Sequence, residues 1–117
     1  MGGYIYLIED IDNGTYKIGR TNKDPEKRLK QLQTGNSTKL ELKRTFETLY
    51  PCRLETLLHN RFLLQNVEYV NDFVKNPKSE WYYLNEEQVD KFVDTCIELS
   101  NIIEVMKDNP YFCKNLK

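Results

Sequence analysis

The spacing of apolar residues changes period several times along the chain, and each change marks an element. Tyr4-Ile5-Tyr6-Leu7-Ile8 is aromatic and β-branched and predicts a strand. Alternate residues of a strand share a face, so Tyr4, Tyr6 and Ile8 point one way and Ile5 and Leu7 the other. Asp12-Asn13-Gly14 is a turn signal, because Asn-Gly supplies the positive-φ positions of a tight hairpin. Thr15 to Gly19 predicts the returning strand, with Lys17 and Gly19 on one face and Tyr16 and Ile18 on the other. Asp24-Pro25-Glu26 marks a helix start: an N-cap carboxylate, a proline at the first position and an acid in the first turn. That helix carries Leu29 and Leu32 on one face and is expected to end near Gly35 in a left-handed cap.

Leu40 to Leu49 alternates, with Leu40 and Leu42 in phase and Phe46 after a slip, and predicts a half-buried third strand broken by Pro51. Leu54, Leu57, Leu58 and Phe62 recur at helical spacing, giving a helix over 53–64. Residues 65–79 read as a loop, and Glu80 to Leu84 as a short last strand. Asn85 caps a final helix, with Gln88 as its capping-box partner, and Val89, Phe92, Val93, Cys96, Leu99, Ile103 and Met106 form the apolar stripe. Asn109-Pro110 stops that helix before a loose tail. The order β-β-α-β-α-β-α predicts an α/β (α+β) fold, a small mainly antiparallel sheet flanked by helices. Without repeats or linkers, residues 1–117 read as one domain, with a core over 3–84 and a C-terminal helix, about 86–107, packed as an extension.

Composition narrows the class. A 39% apolar and 30% charged chain of 117 residues is ordinary for a globular protein and excludes disorder as the default. No apolar run approaches the roughly 20 residues a bilayer span needs, and no secretory signal opens the chain, so no membrane role and an intracellular setting are expected. Cys52, Cys96 and Cys113 make neither a CxxC pair nor a zinc spacing and suit a reducing compartment.

The net charge of −1 conceals an asymmetry. Residues 16–44 hold nine Lys or Arg against three acids, so that window is +6 and the remainder −7. A basic block on an otherwise acidic chain is the footprint expected for a polyanion, although a solvated charged face is the common reading for a helix alone. Lys23, Lys27, Lys30 and Lys43 would then give sequence-independent phosphate contacts, with Arg20 beside them.

Certain residues offer chemistry. A Tyr6 phenol beside a Lys17 ammonium on the hairpin partner would make a base, since a nearby positive charge favours phenolate; a core aromatic is the alternative. Gly19 lets a ligand approach the sheet. Glu55 and His59 are four apart and share a helix face, either as a site or as a solvated pair. His59 is the only histidine, so no histidine-rich metal site can form. Trp81 reads as a core anchor.

Four segments together resemble the GIY-YIG nuclease superfamily, in the branch typified by a phage T5 open reading frame. They are Tyr16-Lys17-Ile18-Gly19-Arg20-Thr21, Asp24-Pro25-Glu26-Lys27-Arg28, Glu55-Thr56-Leu57-Leu58-His59-Asn60-Arg61-Phe62 and Glu80-Trp81-Tyr82, preceded by Tyr4-Ile5-Tyr6. The resemblance covers roughly residues 3–84. It implies a GIY-YIG fold and a metal-dependent endonuclease that hydrolyses DNA. Tyr6 would be the base, tuned by Lys17. Arg28 would hold the phosphate, and Glu55 would be the sole protein ligand of Mg2+ (or Mn2+), with His59 nearby. Three departures stand out: Tyr4 where Gly is usual, Lys17 where Tyr is usual, and Leu32 where His or Tyr often stands. They put catalytic rate in doubt more than fold.

This reading requires Tyr6, Arg28 and Glu55 to converge on one phosphate, with the Glu55 carboxylate on the same side of the sheet as the Tyr6 hydroxyl. Its rivals are a weakened nucleic-acid-binding module of the same fold and an interaction protein that exposes the stripe of the C-terminal helix. Sequence specificity is expected to be weak or to be supplied by an oligomer, such as a homodimer, or by another chain.

Overall fold

The computed structural model describes residues 2–64, 69–72 and 76–109, with side chains described for 2–62 and 81–109. The expected loose tail and Cys113 lie outside the described residues, as does part of the 65–79 loop. β1 (Gly3–Asp10) and β2 (Thr15–Thr21) form the opening hairpin, followed by α1 (Pro25–Thr34), β3 (Leu40–Thr48) and α2 (Pro51–Leu64). β4 (Tyr69–Asp72), β5 (Asn76–Tyr82), α3 (Glu86–Asp90) and α4 (Phe92–Met106) complete the order. Among the described residues the strands make one sheet in the order β3-β1-β2-β5-β4, antiparallel at every pairing.

Local chemistry explains the hairpin. Asp10 pairs with Thr15, so the turn runs over residues 11–14, and Gly14 alone takes the left-handed region, at φ 67°. The buried Asp10 carboxylate fastens it, accepting from Asn13 N–H and from the Asn13 amide and Thr38 hydroxyl at 2.8 and 2.9 Å. The slip in β3 is a bulge: Leu7 pairs with Arg44 and Ile8 with Leu42, leaving Lys43 as the extra residue.

Helix ends partly follow expectation. Asp24 accepts from Glu26 N–H as the α1 N-cap, and Asn85 and Gln88 close the capping box of α3. Gly35 departs from its expected left-handed cap, with φ −90° and its N–H bonded back to Leu32 and Gln33 carbonyls. The predicted helix over 86–107 is two helices that meet at Lys91 (φ −92°, ψ 6°), where neither Gly nor Pro announces a break. α2 begins at Pro51 rather than after it, because proline suits a first helical turn. The expected loop includes β4, and β5 begins at Asn76, four residues ahead of Glu80.

The sheet separates two cores. On one face Ile5, Leu7 and Ile18 pack with Leu54, Leu58 and Phe62 of α2, with Tyr82, and with Phe92, Cys96, Leu99 and Ile103 of α4. On the other face Tyr6, Ile8 and Leu40 pack with half-buried Leu29 and Leu32 of α1, Leu42 and Trp81. The strand parity read from the sequence holds on β1 and β2. The α4 stripe is buried at Phe92, Cys96, Leu99 and Ile103, which removes the exposed face the interaction-protein rival needed. No helix among the described residues is long and apolar enough to cross a membrane.

Candidate active site

Tyr6 pairs directly with Gly19 across the hairpin, and its ring lies over that glycine. A Cβ on Gly19 would collide with the Tyr6 hydroxyl and ring, so the absent side chain is what lets the phenol lie across β2. Tyr6 is 2% exposed, held by the small core under α1. Lys17 is not its direct partner: Lys17 pairs with Ile8, and its ammonium lies 5.8 Å from the centroid of Trp81. Lys17 and Tyr6 share a face but stand on a diagonal, and Trp81 is a half-buried cation platform rather than a deep anchor.

Arg28 lies on α1, above the face that holds Tyr6, and donates through Nη1 to Gln31 Oε1 at 3.2 Å. Lys23, Lys27 and Lys30 are exposed around the same helix. Lys43 is drawn elsewhere, to Glu41 at 3.2 Å and Glu9 at 3.5 Å, and the Glu41 carboxylate raises its ammonium pKa. The basic block is therefore divided between the surface of α1 and locally paired charges on β3.

Glu55 stands on α2, which covers the opposite face of the sheet from Tyr6. Its Oε1 accepts from Arg20 Nε at 3.0 Å, and its Oε2 lies 3.9 Å from His59 Nε2. The Arg20 side chain is 45% exposed and that of Glu55 16%, so the pair sits at the rim of the sheet. His59 Nδ1 shares a 2.5 Å hydrogen bond with the buried Tyr82 hydroxyl, and the two rings stack with centroids 5.5 Å apart. Arg20 was expected to contact nucleic acid; its partner here is Glu55. The parity of β2 carries that signal, since Arg20 follows Tyr16 and Ile18 toward the α2 face. Tyr82 was missed as the histidine's partner, although it alternates with Trp81 on the last strand.

Among the described residues Tyr6 and Arg28 belong to the α1 face of the sheet and Glu55 to the α2 face, so the expected same-side convergence is corrected. The strand pattern causes this, because Tyr6 and the buried leucines of α2 belong to opposite cores. The two groups approach each other at an edge instead. Away from β1, β2 is paired only at Tyr16 and Lys17 among the described residues, which leaves Gly19 to Thr21 as a free edge. Gly19 carries the Tyr6 phenol on one face and Arg20 carries Glu55 on the other. Consecutive Cα atoms are about 3.8 Å apart, so both faces reach whatever lies against that edge.

Residues 3–97 match the family model described as the T5orf172 domain. The chain belongs to the T5orf172 domain family. Nothing among curated proteins or solved structures matches it. Membership in the T5orf172 family points to a nuclease-like or DNA-binding module. The match runs past the last strand and through α3 into the first turns of α4.

For a divalent ion, the donor chemistry at Glu55 is narrow. Among the described residues no three His, Cys, Asp or Glu side chains cluster as a metal site. Glu55 therefore fits only a single-carboxylate ion, held through Oε2, with water and phosphate oxygens as the other ligands; magnesium accepts such a shell. Arg20 on Oε1 is a cationic competitor that its exposure allows to swing away.

Proposed function

We propose that this T5orf172 domain holds a DNA phosphodiester against the free edge of β2 and hydrolyses it. One observation carries the reading: the Tyr6 phenol and the Glu55 carboxylate are linked to consecutive residues of that edge, Gly19 and Arg20. In its deprotonated form the Tyr6 oxygen accepts a proton from water. That water's oxygen attacks phosphorus in line, the bond to the 3′ oxygen breaks, and a 5′ phosphate remains. Arg28, on the Tyr6 side, braces the non-bridging oxygens with its fork of donors. Mg2+ (or Mn2+) on Glu55 would supply Lewis-acid stabilisation of the departing oxygen. Exposed Lys23, Lys27 and Lys30 add backbone contacts, so binding weakens as salt rises. Lys17 reaches over Trp81, so its role is to add positive charge near the edge rather than to touch Tyr6.

A specific observation favours a second reading, binding without cleavage: Arg20 occupies Oε1 of the only carboxylate proposed for the ion. Nicking of supercoiled plasmid separates the two. Hydrolysis predicts nicking that needs Mg2+ or Mn2+, stops with chelator, and falls at least a hundredfold in Glu55→Ala and in Tyr6→Phe. DNA binding without nicking in either metal would leave the second reading standing. Nicking that persists in Glu55→Ala at equal purity would defeat the first.

A further inference from the structure

We infer that Tyr4 is a stacking platform for an unpaired nucleobase, beside the phosphodiester that the proposed function assigns to the β2 edge. The inference rests on that reading and adds the state of the substrate: a strand whose bases are splayed.

Two shallow hollows, about 440 and 470 Å3, open at this end of the sheet, and Tyr4 and Asn22 line both. Tyr4 is half-buried between them. Among the described residues most aromatic rings are spent on the cores, whereas Tyr4 belongs to neither core cluster and lines both hollows. It also stands where the resembled superfamily usually has glycine.

The lining selects a base over a phosphate. Glu47 lines the first hollow; Asp24 and Glu26 line the second, with Lys23 as the one cation. Three carboxylates against one ammonium repel a phosphate. They accept hydrogen bonds from the exocyclic amino groups of cytosine or adenine, and the Asn22 amide can both donate and accept. Asp24 already accepts from Glu26 N–H through Oδ1, so its second oxygen is the one turned to a ligand.

Stacking itself requires an unpaired base. Tyr4 and Tyr6 share a face of β1, two residues and about 7 Å apart, so a nucleotide next to the phosphate at the edge is within reach of Tyr4. Its base meets the ring only once it has left the duplex stack.

The test uses the full chain and fluorescein-labelled 12-mers of deoxycytidine, deoxyadenosine and deoxythymidine, plus a duplex of mixed sequence, titrated at several salt concentrations with chelator present. Tyr4→Ala is expected to weaken single-strand binding about 5- to 100-fold, the range for loss of one stacked base. The slope of log affinity against log salt stays unchanged, and Tyr4→Phe binds within about twofold of the parent. Deoxycytidine and deoxyadenosine bind more tightly than deoxythymidine, and Asn22→Ala narrows the difference. Lys23→Ala is the control for a phosphate contact and shallows the single-strand salt slope by about 0.7. The inference is overturned if Tyr4→Ala and Tyr4→Phe fall together, if the loss is equal on duplex, or if affinity does not change. In those cases the parent still binds DNA and the functional reading survives. A parent chain that binds no oligonucleotide overturns both.

Discussion

The two faces of the sheet differ in how they are built. The face under α2 and α4 buries Ile5, Leu7, Ile18, Leu54, Leu58 and Phe92 completely and draws on six elements. Among the described residues the face under α1 buries only Tyr6, Ile8 and Leu40, and its remaining apolar side chains are half-buried. Burial stabilises by roughly 25 cal/mol per Å2, so the first face carries most of the folding energy. The second can therefore spare a phenol, an arginine and the open end around Tyr4 for a ligand. Under the proposed function the phenol and Arg28 come from the thinner face and Glu55 from the packed one, so the two would meet only at the edge of β2.

Thiol reactivity gives the largest expected contrast. Burial pushes the Cys96 thiol up to about 12, while Cys52 is exposed. At pH 8 its thiolate fraction alone makes alkylation about a thousandfold slower than for an ordinary free thiol. Peptide mapping after iodoacetamide treatment should find Cys52 modified and Cys96 intact until urea is added. Comparable labelling of both in the native chain would mean that the α4 face opens readily, and the contrast between faces would fail.

Stability should divide the same way. Phe92→Ala empties the packed face and is expected to cost about 3–5 kcal/mol, against about 1 kcal/mol for Leu32→Ala under α1. Urea denaturation of the two variants checks this, and equal losses would contradict the division of labour.

Gly19→Ala tests the join between phenol and edge. Adding a Cβ in a strand is ordinarily mildly favourable, but here it strikes a ring that is 2% exposed and cannot retreat. Overpacking of this kind costs about 1–3 kcal/mol. Tyr6→Leu removes the obstacle, so the double variant should recover stability and a mutant cycle should show coupling above about 0.5 kcal/mol. Additive effects would place the Tyr6 ring elsewhere.

Much of the architecture was written into local pattern. Parity on β1 and β2 assigned Tyr6 and Ile5 to opposite cores, and the slip before Phe46 became the bulge at Lys43. Asp24 and Asn85 announced their helices. The break at Lys91 was not legible, since its backbone angles need no special residue. Nor was β4, because a four-residue strand rich in polar residues resembles a loop. In the candidate site, Tyr6, Gly19, Arg28 and Glu55 were all named from motifs, and their roles are proposals. Which face each occupies depends on how α1 and α2 cross the sheet, and a one-dimensional pattern does not encode that. Parity could have put Arg20 on the Glu55 side, but only once α2 was known to cover that face.

Arg20 is the residue that sharpens the comparison most finely, because it lies where the faces meet. Its pair with Glu55 is 3.0 Å long but nearly half exposed on the arginine side, and exposed pairs are worth about 0–1 kcal/mol. Arg20→Ala should therefore shift the urea midpoint hardly at all and leave the slope of unfolding unchanged. Its effect belongs in the metal dependence instead. If the guanidinium competes with the ion for Glu55, its removal lowers the Mg2+ concentration needed for half-maximal nicking, by up to about fivefold for a competitor worth about 1 kcal/mol. If Arg20 instead turns to the phosphate when DNA arrives, the variant binds DNA more weakly, with a salt slope shallower by nearly one and an unchanged Mg2+ midpoint. A loss of more than about 2 kcal/mol in stability would contradict both outcomes, because it would make the pair a buried anchor and β2 no free edge.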